Sequence, residues 1–252
     1  MRWFYVFLVL AASTLLAAQD VVPAGTLLPV ALQSTVNSNR AKKGTVIIAR
    51  VMQDVPTEHG VIRAGSKLVG HVVQVSSNEA GGTSITLRLH DLRAGGRHIP
   101  VTTLVRAMAS YTEIEQAQIP SSGPDAGTPA DGWTTVQIGG DVVYRGGGPV
   151  NSGLEEVGKP VSDGALSKVS ANSAGECRGE TDGNQKPQAL WVFSSNACGT
   201  YGLSNVRIVK KGLADPVGDV VLGSNKGALN LPRGTGLILR VIGAPVGSAQ
   251  LQ

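Results

Sequence analysis

"KGTVIIARV", residues 43–51, and "RGTGLILRV", residues 233–241, match almost residue for residue although most of the chain lies between them. In each, a Gly-Thr pair opens a run of aliphatic and β-branched residues. The pattern recurs where Gly25-Thr26 leads "LLPVAL", Gly65-Ser66 leads "KLVGHVVQV" and Gly82-Thr83 leads "SITLRL". Gly supplies a turn conformation that residues with a Cβ avoid, and Thr or Ser hydrogen-bonds locally before the strand begins. Gly25, Gly44, Gly65, Gly82 and Gly234 are therefore expected to be strand-opening turns. The first four follow at intervals of 19, 21 and 17 residues, with no helical period between them. That spacing predicts an all-β fold, an antiparallel β-barrel or sandwich.

The composition agrees. The chain has 252 residues, 33 glycines and only 16% charged residues, which favours sheet and turns over helices. Four of its ten aromatic residues, Trp3, Phe4, Tyr5 and Phe7, fall in the opening stretch "MRWFYVFLVLAASTLLAAQD". One Arg, an apolar run, small residues and a polar end give that stretch the layout of a secretory signal peptide cleaved near Ala17 to Gln19. An uncleaved anchor is the alternative, since Leu16 suits cleavage after Ala18 poorly. The chain is expected to be exported, to the periplasm, the cell envelope or the exterior. No later stretch is apolar and long enough for a membrane helix, so membrane contact is expected only through the signal segment or peripherally.

Residues 1–19 thus read as signal and 20–110 as a barrel-like domain. Residues 111–175 read as a flexible Gly/Ser/Pro-rich region with one short hairpin in "WTTVQIGGDVVY". Residues 176–244 read as a small second β unit, or as strands that complete the first barrel, and 245–252 as a disordered tail. Cys177 and Cys198 are the two cysteines. In an oxidising compartment the pair reads as a disulfide closing a loop of about 20 residues and contributing about 3 kcal/mol. A two-ligand metal contribution or a catalytic thiol needs a histidine nearby, and none follows His98.

One hairpin can be registered from the sequence. In "SITLRLHDLRAGGRHIPVTTLV", residues 84–105, the apolar residues Ile85, Leu87, Leu89, Ile99, Val101 and Val105 are all odd-numbered. Placing both sets on one face requires an odd loop length. The loop Ala94-Gly95-Gly96 satisfies this, sets Leu89 opposite Val101, and puts His90 and His98 diagonally on the outer face at roughly 7–8 Å.

The run "VPAGTLLPVALQSTVNSNRAKKGTVIIARVMQDV", with "GVIRAGSKLVGHVVQV" and "ITLRLHDLRAGGRHIPV", resembles the C-terminal β-barrel domain of type IV secretion and conjugation channel proteins. The likeness covers about residues 21–105 and is carried by Pro23 to Thr26, Asn37 to Asn39, Val46 to Val55 and Val61 to Gly70. It implies a barrel in an envelope setting. That family places a membrane helix and a Pro-rich stretch before its barrel, whereas here the barrel-like part directly follows the signal.

Chemistry is sparse. His90 and His98 are the candidate metal pair, but no third ligand is placed beside them. His71 alternates with Val69, Val73 and Val75 on a face expected to be buried, and His59 sits in the turn "TEHG". Glu155-Glu156 and Asp54 with Glu58 are expected in loops. No G-x-S-x-G elbow, phosphate loop or G-x-G-x-x-G is seated between a strand and a helix. Lys and Arg are scattered with no aromatic residues among them, so no nucleic-acid partner is expected. No catalytic residue and no cofactor is assigned. The function classes are a non-enzymatic exported β protein, binding an envelope partner or self-associating through strand edges, and an exported hydrolase or metal-binding enzyme assembled only in three dimensions.

Overall fold

The Gly-Thr pairs are built alike. In the computed structural model, Gly25, Gly44, Gly65 and Gly234 have φ of +90°, +85°, +88° and +87°. Each is the third residue of a turn closed by a hydrogen bond from the next N–H to the carbonyl three back: Thr26 to Pro23, Thr45 to Lys42, Ser66 to Arg63 and Thr235 to Pro232. These are type II turns, in which the third position demands positive φ. The Gly N–H then donates to one residue of a neighbouring strand, whose own N–H donates to the carbonyl of the following Thr or Ser. Two residues thus face one, a glycine β-bulge. The partners are reciprocal: Gly25 faces Val241 while Gly234 faces Leu32, and Gly44 faces Val72 while Gly65 faces Val51. Two antiparallel ladders are therefore bracketed at both ends by each other's turns. Gly82 departs from the pattern, because there the positive φ falls on Gly81.

The structure describes residues 21–77, 81–118, 133–135, 138, 143–145, 150–152, 155–161, 164–167, 189–194 and 197–243. The principal strands are β1 (Leu27–Leu32), β2 (Val46–Val51), β3 (Lys67–Ser77), β4 (Thr83–Ala94), β5 (Arg97–Pro100), β6 (Thr102–Ala109), β7 (Gly199–Tyr201), β8 (Val206–Lys210), β9 (Val220–Ser224) and β10 (Gly236–Gly243). They form one ten-stranded sheet in the order β7-β6-β10-β1-β2-β3-β4-β9-β8, with β5 beside β4. Only β7 with β6 is parallel. One face wraps around a single aliphatic cluster that includes Leu28, Ile47, Leu68, Ile85, Met108, Leu222 and Leu239.

Several expectations change. The sheet does not close into a barrel: β7 and β8 bound its path, and a backbone hydrogen bond from Val105 to Lys211 joins the two margins in place of a ladder. Strands from residues 199–243 lie in the same sheet as those from 27–109, the second of the two arrangements that the sequence leaves open. A helix, α1 (Tyr111–Gln118), was not expected. Its Ile114 and Ala117 join Leu190, Val192, Phe193 and Ala197 in a second cluster against Ala107, Ala109 and Ile238. As a result β6 is buried on both faces beyond Thr102.

The hairpin register also differs. The loop is the two-residue Gly95-Gly96, both at positive φ, and Leu92 faces Ile99. A bulge between Leu89 and Asp91 switches the inward parity, so that Leu89 and Leu92 are both buried. Strict alternation cannot reveal such a switch. On β3 the buried residues are Leu68, Gly70 and Val72, and the face expected to be buried, with Val69, His71 and Val73, lies outward and half-buried.

Trp133–Thr135 pairs antiparallel with Val143–Arg145, in the stretch read as one hairpin. The signal stretch, Cys177 and the tail 245–252 lie outside the described residues.

Candidate functional site

The outward face of β2, β3, β4 and β5 is set by the buried residues of those strands. Ala49, Val51, Leu68, Leu92 and Ile99 point into the core, so the residues alternating with them face outward. Directly paired residues share a face, and the ladders connect Arg50 to Lys67, Lys67 to Arg93 and Arg93 to His98. All four are exposed. They form one straight basic row across four strands. At roughly 4.8 Å per strand the row spans about 14 Å.

The next row is nearly neutral: Ile48, Val69, Asp91 and Pro100. Beyond it lies a third row, Val46, His71 and Arg88, extended by Asp219 just before β9. Arg88 Nε donates to Asp219 Oδ1 at 2.6 Å, and Asp219 is buried.

The histidines are drawn apart from their expected pairing. His90, beside the β4 bulge, lies edge-on to His71, with ring centroids 5.1 Å apart and planes at 79°. His98 instead lies with Nδ1 3.1 Å from Asp91 Oδ2, an oxygen that also accepts from Arg93 Nε at 2.8 Å. Partial burial, then the positive charge of His90 and Arg88, holds the His71 imidazole below its ordinary range against the opposing pull of Asp219. Burial raises the Asp91 carboxyl, but hydrogen bonds from Arg93 and His98 outweigh it and leave the group below the usual carboxylate range.

His71 and His90 are neighbours through a ring contact only. Among the described residues no group of three or more His, Cys, Asp or Glu is arranged to hold one. His59 sits exposed in the turn between Val55–Thr57 and Gly60–Ile62. Asp54 accepts from Arg63 Nη1 at 2.6 Å and from the Ala64 N–H at 2.8 Å, so it organises a turn rather than pairing with Glu58. Cys198 is buried, and no described cysteine is a free thiol. Its expected partner Cys177 lies outside the described residues. No described helix is long and apolar enough to cross a membrane.

The basic row is what residue-by-residue reading missed. Its members are separated by 17, 26 and 5 positions in the chain, so they look scattered until the ladders align them. The signal was present in part: once Gly44 and Gly65 are taken as reciprocal turns, Arg50 and Lys67 must face each other.

Comparison with protein families, with curated proteins and with solved structures finds no match.

Proposed function

We propose that this chain is an exported, non-enzymatic β-sheet protein of the cell envelope that acts by binding a partner or by assembly, with kinship to the barrels of secretion channels. The reading rests on one observation. Helix α1 with Leu190, Val192, Phe193 and Ala197 covers the outward side of the sheet around β6 and β10, whereas no described residue is packed in this way over the outward side of β2 to β5, whose charges stand in register. An uncovered face that carries ordered like charges is a recognition surface more readily than a catalytic one.

Two measurements test the reading together. Alkaline phosphatase fused after residue 110 gains activity only if the leader exports it. A photo-crosslinker at Val46, 60% exposed on this face, captures a partner or a second copy in the native envelope. An inactive fusion with a monomeric, uncrosslinked chain refutes the proposal.

The second reading, an exported metal-dependent hydrolase, has the close approach of His71 and His90 in its favour. Stoichiometric zinc in the purified protein, lost together with hydrolytic activity when both are replaced by Ala, would support it.

A further inference from the structure

Like charges directly opposite one another on a sheet are unfavourable. In the row Arg50, Lys67, Arg93 and His98, Lys67 stands between Arg50 and Arg93, Arg93 stands between Lys67 and His98, and the one carboxylate of the adjacent row is Asp91, shared by Arg93 and His98. Arg50 and Lys67 make no ion pair among the described residues. A fold that needed only solubility would intersperse signs along such a face. We infer that this row is a docking strip for an acidic, extended polypeptide segment of a partner protein, a deduction that rests on the binding reading above and names its surface.

Geometry and chemistry select that occupant. An extended chain rises about 3.3 Å per residue, so about four or five residues span the row. Its carboxylates accept hydrogen bonds from the two guanidinium groups, which donate in a two-pronged geometry, and from the ammonium between them. Ile48, Val69 and Pro100 in the adjacent row supply apolar surface for the methylenes of Glu side chains. No Phe, Tyr or Trp stands in these rows, so the row lacks the broad stacking platform that a single-stranded nucleic acid uses. The row also lacks the bulky apolar residues that anchor a surface in the headgroup region of a bilayer.

The probe is a fluorescent glutamate decapeptide, titrated with the full-length mature protein at low salt and read by anisotropy. Arg50→Gln, Lys67→Gln and Arg93→Gln combined should weaken binding about tenfold and flatten its salt dependence, since three exposed charge contacts are lost. Lys210→Gln, Lys226→Gln and Arg233→Gln combined remove the same charge elsewhere and should change affinity less than about twofold. The pair Arg50→Lys with Arg93→Lys, which keeps the charge but loses the two-pronged contact, should bind more weakly than the parent and more tightly than the neutralised row variant. The melting temperature of the row variant should equal or exceed that of the parent, which separates lost binding from lost fold.

Equal loss in the two neutralised variants, or no binding by the parent, overturns the strip. Row-dependent binding that is tighter for a thymidine oligonucleotide or for phosphatidylglycerol vesicles overturns the polypeptide assignment. A crosslinker at Val209, on edge strand β8, keeps the two readings apart. If the strip fails while Val209 still captures a partner, only the strip falls; if every crosslink in the envelope is absent, both fall.

Discussion

Replacing a turn glycine isolates the backbone requirement behind the repeated Gly-Thr pairs. At Gly25, Gly44 and Gly65 an added Cβ meets nothing within 4 Å, so no steric clash complicates the result. What remains is the conformation itself, φ between +85° and +90°, which costs a residue with a Cβ about 1–2 kcal/mol. For a sheet of this size that corresponds to a fall in melting temperature of about 2–8 °C. Gly44→Asn should cost less than Gly44→Ala, because Asn tolerates the left-handed region. Gly25→Ala and Gly44→Ala open different ladders and share no partner, so their costs should add.

Gly70 supplies the contrast. Its φ is not positive, but a Cβ there would lie 2.1 Å from the Arg88 carbonyl oxygen and 2.8 Å from Leu89 Cα. Those are backbone atoms of the adjacent strand and cannot rotate away, so Gly70→Ala should cost about 3 kcal/mol or more. Urea unfolding at fixed pH, with stability taken from midpoint and slope, should rank Gly70→Ala as most damaging, Gly44→Ala and Gly65→Ala together next, and Gly44→Asn least. Gly44→Ala as stable as the parent, or Asn no better than Ala, would refute the conformational account of the repeat.

Stability should also depend on pH through His71. The folded imidazole titrates below its ordinary 6.5, so the unfolded chain binds the proton first as pH falls. The His71 contribution is therefore neutral above the unfolded value and destabilising below it, with the penalty complete once pH passes the folded value. His71→Gln should flatten the stability curve as pH falls below the ordinary imidazole value of 6.5, and an unchanged slope would remove His71 as its cause. Asp219→Asn leaves Arg88 without its carboxylate at a half-exposed site and should cost about 1 kcal/mol, discounted for solvent access; calorimetry of the single and double variants measures the coupling. For the cysteines, a mass shift on alkylation without reductant would show free thiols and sink the Cys177 to Cys198 pairing, whereas an intact bridge predicts that Cys198→Ser costs about 3 kcal/mol. Lys67→Gln should raise stability by a few tenths of a kcal/mol by relieving repulsion from Arg50 and Arg93, and a fall would mean that the row is not repulsive.

How far the sequence reads depends on the range of each interaction. The turn glycines are local: Gly25, Gly44, Gly65 and Gly234 need positive φ whatever surrounds them, and a Thr or Ser after each marks the bulge. The reciprocity of the turns is not local, because Gly25 meets Val241 across most of the chain, and nothing near either residue announces the other. The bulge after Leu89 defeats alternation in another way. It turns the inward set from odd to even within three residues, which converts a three-residue loop deduced from parity into the two-residue Gly95-Gly96 turn that the sheet adopts. Helix α1 is short enough that only Ile114 and Ala117 carry its inward stripe, and two positions do not make a period. The basic row compounds these difficulties. Arg50, Lys67, Arg93 and His98 become neighbours only after two ladders and a hairpin are registered, one of them through the bulge. A charge arrangement that costs the sheet stability is thus invisible to composition, where the same residues look like a scattered, soluble surface. The register exposes the conflict, and a conflict retained in a folded sheet is where a function is to be sought.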